Sequence, residues 1–218
     1  ETSINRDGVE IKENFDIVVL SIGRKPATAG LNLKNIGVTV DEKGFINVDK
    51  GMKTSIENVF AAGDVIATPM LAHTGYAEGE VAALNAFGEA YKAIDYSNVP
   101  NVVYSEIKTA SVGLKEKELI AKNIPYKKSK QFFKSNGRAH AEGATEGFVK
   151  VLIDESGKKF LGASIVGVQA DEMIHEFVVA KQAGVEPGIF ENIIHAHPTF
   201  SELSQDAVKA AFGRSLHA

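Results

Sequence analysis

Two apolar runs, Phe148-Val149-Lys150-Val151-Leu152-Ile153 and Phe160-Leu161-Gly162-Ala163-Ser164-Ile165-Val166-Gly167, lie on either side of the polar link Asp154-Glu155-Ser156-Gly157. Their length and β-branched content mark them as strands, and the link is a turn that returns one upon the other. Phe132-Phe133 reads as a further strand, Val102-Val103-Tyr104 is strand-like, and Ala110-Ser111-Val112-Gly113 closes that earlier segment. Around them the pattern changes to helix. One helix is expected from about Lys115 to Lys122, ended by Asn123 and Pro125. A second runs from Asp171 to Gln182, with Ile174, Phe177, Val178 and Lys181 on one face and Gly184 as its cap. A terminal helix follows from Ser201 to about Phe212. Antiparallel strands flanked by helices make an α+β unit over residues 97–218.

The chain before this unit has another texture. Residues 1–25 read as the end of a β-rich unit: Val9 and Ile11 alternate with polar residues, and Ile17-Val18-Val19-Leu20 has the character of a buried strand. Ser21-Ile22-Gly23-Arg24-Lys25-Pro26 comes next, either a plain turn or the carboxyl end of a nucleotide-binding sheet, where ligands sit. Residues 26–96 form a second unit. Gly37-Val38-Thr39-Val40 and Phe45-Ile46-Asn47-Val48 flank Asp41-Glu42-Lys43-Gly44 as a β-hairpin. In Thr54-Ser55-Ile56-Glu57-Asn58-Val59-Phe60-Ala61-Ala62-Gly63-Asp64, a short apolar strand ends in a glycine that admits close backbone approach and an acid that accepts hydroxyl protons. Pro69-Met70-Leu71-Ala72-His73 leads into a helix that runs to about Asn85 and stops at Gly88. Along it Ala72, Tyr76, Ala83 and Leu84 alternate with Glu78 and Glu80, and its first amides suit an electron-rich ligand edge. His73 is read either as a neighbour of that edge or as a first-turn residue facing solvent.

Composition narrows the function. The 218 residues are 44% hydrophobic and 24% charged with net charge −4, ordinary values for a globular protein with one good core or two modest ones. No basic patch with interleaved aromatics speaks for nucleic acid. No apolar run approaches the roughly 18 residues of a membrane helix, and the opening Glu1-Thr2-Ser3 is not signal-like. The absence of cysteine rules out disulfide scaffolding and thiolate zinc sites, and denies this chain thiol–disulfide exchange by itself. No G-x-G-x-x-G fingerprint occurs.

The chemistry concentrates in His195-Ala196-His197-Pro198-Thr199-Phe200-Ser201-Glu202. An imidazole and a carboxylate five positions apart at a loop-to-helix junction make a base and its orienting acid. Thr199 and Glu202 equally fit a capping box, and a His-x-His pair is often no more than solvated side chains. A metal site is disfavoured because zinc wants three or four ligands.

The order His-x-His-Pro-Thr-x-Ser-Glu resembles the C-terminal signature of the dihydrolipoamide dehydrogenases, in the flavin-dependent pyridine nucleotide-disulfide oxidoreductase family. Thr-x-x-x-x-Val-Phe-Ala-Ala-Gly-Asp resembles the second flavin-binding motif of that superfamily, and Met-Leu-Ala-His matches residues that line the flavin pyrimidine ring. The similarity extends from about residue 15 to near the C-terminus and covers a C-terminal half. It implies an α+β fold in three parts: the end of a nicotinamide-binding unit (1–25), part of an FAD-binding unit (26–96) and an antiparallel-sheet dimerisation domain with flanking helices (97–218). It also implies FAD and NAD as cofactors, with neither site complete here. Gly63, Asp64, Met70, Leu71, Ala72 and His73 would face FAD, Asp64 accepting from its ribityl chain and the backbone amides mattering more than the His73 ring. Gly23 would approach the nicotinamide dinucleotide.

In such an enzyme dihydrolipoamide loses a thiol proton and attacks a disulfide, and electrons pass through FAD to NAD. The resemblance assigns the base to His197, steadied by Glu202 and acting on the partner subunit of a homodimer, with His195 and Pro198 shaping the lipoamide pocket; His195 equally suits packing. The chain alone would be inactive. The implied partner is the lipoyl domain of a 2-oxoacid dehydrogenase complex or of a glycine cleavage system, with no nucleic acid and no membrane, in a bacterial cytoplasm or a mitochondrial matrix. One departure stands out: Ser105-Glu106-Ile107-Lys108-Thr109 replaces the family's Thr-x-Pro-Glu-Val. A non-catalytic dimerisation module and a related reductase with another substrate are the competing readings.

Overall fold

The computed structural model describes residues 1–215. It opens on a two-stranded hairpin, β1 (Thr2–Arg6) and β2 (Val9–Glu13). Asp7 and Gly8 carry φ of 53° and 85°, the left-handed pair that a tight two-residue hairpin loop requires. The run that follows departs from expectation. Ile17–Leu20 forms no strand, and Ile17, Val18, Val19, Leu20 and Ile22 are 62–89% exposed. A buried strand exists only between neighbours that take up its amides and carbonyls, and among the described residues no strand pairs with this one.

Residues 26–96 gather on a small core of Val38, Ile46, Met52, Ile66 and Val81. The turn at Asp41–Gly44 forms, with Asp41 Oδ1 accepting the amides of Lys43 (2.8 Å) and Phe45 (2.9 Å). The expected hairpin shrinks to a single antiparallel bridge, Val40 to Ile46, and the strand before Gly63 to another, Lys53 to Phe60. Here side-chain-to-amide bonds in turns replace the ladder. α1 (Ala72–Ala86) ends where Gly88 turns left-handed. Its buried face is the reverse of the expected one: Thr74, Glu78 and Val81 point inward, while Tyr76 is exposed.

The largest body is a five-stranded sheet in the order β3-β4-β7-β6-β5, every neighbouring pair antiparallel. Its strands are β3 (Asn101–Val103), β4 (Thr109–Gly113), β5 (Tyr126–Phe132), β6 (Phe148–Asp154) and β7 (Phe160–Val166). β6 and β7 return upon one another as the two apolar runs require. β5 is longer than Phe132-Phe133 suggests, and Phe133 itself lies just beyond it, fully buried in the core. Helix α2 (Glu116–Ala121) lies between β4 and β5, and the short α3 (Gly137–Ala141) between β5 and β6.

α4 (Ala170–Gln182) packs on β4 and β7, and α6 (Glu202–Ala211) on β5 and β6. Val149, Val151 and Ile153 of β6 alternate into this layer, as the period of two demands, and meet Ile174, Phe177, Leu203, Ala207 and Val208 from the helices. The one-turn α5 (Pro187–Phe190) adds Phe190, stacked on Phe177 with centroids 5.4 Å apart and edge-on to Phe160 at 5.5 Å. Aromatic pairs at this spacing add about 0.5–1.5 kcal/mol each beyond their buried area. This cluster is the floor on which the loop after α5 rests.

Gly147, at the mouth of β6, has φ +112°, and a Cβ there would meet the Val166 carbonyl oxygen at 1.9 Å. Gly147→Ala is therefore expected to cost the fold about 2 kcal/mol or more through backbone strain and displacement. A urea titration that reads a smaller loss would contradict this packing of β6 against the end of β7.

Candidate active site at the start of the terminal helix

The loop from Glu191 to Ser201 carries both histidines of the motif between the aromatic floor and α6. Three contacts fix it. Asn136, buried at the head of α3, caps that helix through Oδ1 to the Ala139 amide and donates from Nδ2 to the Thr199 carbonyl, both at 3.0 Å. Gln205 of α6 donates to the carbonyls of Glu191 (2.9 Å) and Ile193 (2.6 Å). The Thr199 hydroxyl donates to the Ala196 carbonyl at 2.7 Å.

Glu202, the first residue of α6, uses both of its oxygens. Oε2 accepts the Thr199 amide at 2.8 Å and Oε1 meets His197 Nδ1 at 2.9 Å. Only half of a capping box is thus realised: the acid reaches back, but the Thr199 hydroxyl turns away into the loop. Burial pushes the Glu202 carboxyl up, yet the Thr199 amide and the His197 ring outweigh it and hold the group below its ordinary 4.5. A carboxylate accepts only, so Nδ1 of His197 donates to Glu202, and in the neutral ring the lone pair lies on Nε2. Among the described residues no hydrogen-bond partner meets Nε2, and the side chain is 76% exposed against 25% for Glu202. An imidazole oriented by a carboxylate, with its other nitrogen open to solvent, is equipped to take a proton from something that docks against it.

His195 is placed differently. Its side chain is 10% exposed, with Nδ1 3.1 Å from the Ile193 carbonyl and Nε2 3.4 Å from Glu176 Oε2 on α4. The ring tilts over Phe190 at 6.2 Å and forms part of the wall of an apolar groove of about 470 Å³ with Val179, Val185 and Ile193. Pro198 is exposed beside the His197 ring, joined to it by a cis peptide bond. Sequence reasoning found both histidines and missed Glu176, which stands some twenty residues away on another element and carries no local signal.

The residues of the second motif form a separate cluster. Gly63 has φ +76° with nothing within 4 Å of an added Cβ, so open space lies over this backbone. The Gly63 amide donates to Glu78 Oε2 at 2.7 Å, and Tyr96 donates its hydroxyl to Glu78 Oε1 at 2.9 Å. Glu78 is fully buried, where an acid is tolerated because both oxygens are bonded. Burial, then the hydrogen bond to Glu78, pushes the Tyr96 hydroxyl above its ordinary 10.0. Asp64 is exposed and accepts Arg24 Nη1 at 2.7 Å, while Arg24 Nη2 donates to the Met70 carbonyl. α1 opens after Leu71 with no side chain capping its amides, and the His73 ring sits 2.8 Å from the Pro100 carbonyl. Met70, Leu71 and Ala72 therefore present backbone at a free helix start, and the His73 ring is engaged elsewhere. Open space over Gly63, an exposed carboxylate and uncapped amides fit an electron-rich ligand that bears hydroxyls, as FAD is. Gly23 is exposed with φ +140° on a segment that forms no strand.

Among the described residues no group of three or more His, Asp or Glu is placed to hold a metal, and no helix is long and apolar enough to cross a membrane.

This α+β body, with an imidazole oriented by a carboxylate, has relatives among known proteins. Residues 99–208 match the dimerisation domain of the pyridine nucleotide-disulphide oxidoreductases, and residues 2–79 match a second domain of the same proteins. The chain belongs to this family. It is 39% identical over 202 residues to the mitochondrial dihydrolipoyl dehydrogenase 2 of Arabidopsis thaliana, an alignment covering 93% of the chain and 40% of that protein. It is 38% identical over 216 residues to the dihydrolipoyl dehydrogenase of Halobacterium salinarum, covering 99% and 45%. Among solved structures it is similar to a Cu(II) complex of the HOCl-induced flavoprotein disulfide reductase RclA from Escherichia coli. There the TM-score is 0.84 at 27% identity, over 92% of the chain and 47% of that one. The LpdA of Mycobacterium tuberculosis gives 0.81 at 25%, over 87% and 41%. The chain spans less than half the length of these relatives.

Because the Glu202 carboxyl is held below 4.5, its ionised form contributes stability that is present above that value and lost as pH falls through the lower folded value. Glu202→Gln is expected to lower the melting temperature near neutrality by about 2–4 °C, the size of one hydrogen bond of about 1 kcal/mol. The difference from wild type should shrink on acidification. A gap that widens in acid would reverse the assigned sign.

Proposed function

We propose that this chain is the C-terminal portion of a dihydrolipoamide dehydrogenase, with His197 as the base that deprotonates a dihydrolipoamide thiol and Glu202 as the acid that holds the ring. The observation that carries this is the 2.9 Å contact from His197 Nδ1 to Glu202, which leaves Nε2 of a largely exposed ring free. A thiolate is the nucleophile in disulfide exchange and a thiol is mostly protonated near neutrality, so the reaction needs such a base. Glu202 fixes the tautomer and stabilises the imidazolium once formed, the role a carboxylate plays beside histidine in a serine-protease triad. Pro198, beside the base, and the edge of His195 at the groove shape the approach of the lipoamide.

The chain has no cysteine, so the disulfide that accepts the thiolate lies outside it. The exposed base is suited to an active site on the partner subunit of a homodimer, assembled through residues 97–218. Residues 26–96 belong to an FAD-binding unit and residues 1–25 to the end of a nicotinamide-binding unit. FAD, when bound, supplies a two-electron carrier between the dithiol and NAD. Gly63, Asp64 and the backbone from Met70 to His73 would hold it, Asp64 by accepting ribityl hydroxyls; Gly23 would lie toward NAD in the intact protein. The lipoyl domain of a 2-oxoacid dehydrogenase complex or of a glycine cleavage system is the proposed physiological donor, in a bacterial cytoplasm or a mitochondrial matrix. By itself the chain is expected to be inactive.

In an intact enzyme bearing this C-terminal half, His197→Ala is expected to slow dihydrolipoamide oxidation by about 10²–10⁴-fold, the usual worth of a general base. Flavin reduction by NADH should change far less. Equal losses in the two half-reactions would remove His197 from the proton transfer. Sedimentation of the isolated chain at micromolar concentration tests the assembly: a dimer is expected, and a monomer would count against residues 97–218 as a dimerisation unit.

A further inference from the structure

The two histidines of the motif differ in what their nitrogens face, and the difference sets their charge. Both partners of the His195 ring, the Ile193 carbonyl and the Glu176 carboxylate, are acceptors. The Ile193 oxygen also receives Gln205 Nε2, so it is committed to accepting on both sides of its lone pairs. A neutral imidazole has one N–H and one lone pair, and whichever tautomer it took would aim that lone pair at an oxygen. Only the doubly protonated ring donates to both.

We propose that His195 is held as an imidazolium by Glu176 and the Ile193 carbonyl, and that Glu176 is thereby a positioning residue for His197. This deepens the reading of His197 as a base and rests on it.

The groups that face the His195 ring agree with a cation. Glu176 and His175 come from α4, Glu202 lies on α6 at a distance where its charge is felt, and α5 contributes only the Phe190 ring. The hydrogen bond to Glu176 raises the His195 pKa above its ordinary 6.5, burial opposes it, and Ile193, Glu176 and Glu202 add to the rise. A mostly buried ring tied at both ends between α4 and the loop is a clamp two residues before the base. Loss of its proton would release one of the ties, and His197 would lose a fixed approach to Glu202. His197 differs in geometry: one acceptor, Glu202, faces its Nδ1, and its ring is largely exposed, while both nitrogens of His195 face acceptors.

The test is imidazole nitrogen NMR of the isotope-labelled chain across pH, with the two rings assigned through His195→Gln and His197→Gln. In the wild-type chain both His195 nitrogens should report protonation at pH 6.5 and beyond. His197, once neutral, should hold its proton on Nδ1. Glu176→Gln keeps an acceptor of the same shape and removes the charge. It is expected to lower the His195 midpoint by about one pH unit, a tenfold loss of proton affinity, and to reduce the Nδ1–H fraction of neutral His197. Glu176→Asp should restore the midpoint in part. A purely structural Glu176 would change the melting temperature without moving either signal, and that result overturns the proposal. A neutral, single-tautomer His195 at pH 6.5 in the wild type overturns it as well, and leaves the base reading of His197 standing. Failure of His197→Ala to slow thiol oxidation removes the base reading alone and leaves the charge of His195 as measured.

Discussion

The site depends on one carboxylate that does two jobs at once. Glu202 accepts the Thr199 amide, one of the donors that a helix start leaves without an intrahelical partner, and with its other oxygen it holds His197. At the first position of α6 it also lies in the favourable field of the helix dipole. The turn that leads into α6 and the placement of the imidazole are therefore one structure: both hang on the Glu202 carboxylate. α6 in turn is held because Leu203, Ala207 and Val208 are sealed against β5 and β6. The precision of the base is borrowed from the core of the domain.

How much of this the sequence carried follows from how local each constraint is. The β6–β7 pair, α4 and α6 were legible because their periods of two and 3.6 are written in consecutive residues, and their apolar faces meet in the larger of the two cores. The His197–Glu202 contact was legible because five positions across a helix start bring the two groups together almost regardless of the rest. Ile17–Leu20 was misread for the opposite reason. An apolar run states what a segment needs, and only neighbouring strands can supply it; this chain offers none among the described residues. Glu78 was misplaced because a carboxylate on a helix is ordinarily solvated. Its burial depends on the Gly63 amide and on Tyr96, fifteen and eighteen residues away, which no helical periodicity encodes. Glu176 escaped notice for the same cause.

The two histidines show how environment, not residue type, decides role. Each stands beside a glutamate, within two residues of the other, on one loop. His197 has a single acceptor and an open face, which suits proton exchange with a docked thiol. His195 has acceptors at both nitrogens and little contact with water, which suits permanence. Two groups of one type in different surroundings can sit close together without competing for the same task.

A continuous frame also joins the Gly63 region to the loop that carries the two histidines. Glu78 takes the Gly63 amide and the Tyr96 hydroxyl; two residues on, buried Asn98 donates to the Val178 carbonyl and to Gln182 of α4. α4 then presents Glu176 to His195, and the loop carries on to His197 and Glu202. Each link, at 2.7–3.4 Å, joins a group to the backbone or side chain of a different element. Such a frame gives no ground for claiming that one end signals to the other, since coupling needs two discrete arrangements and only one is seen. What it does explain is registration. Under the proposed function, an active site shared between two protomers demands that each keep a fixed distance between the Gly63 region and His197. Polar contacts that are costly to break in a low-dielectric interior keep that distance better than apolar packing alone.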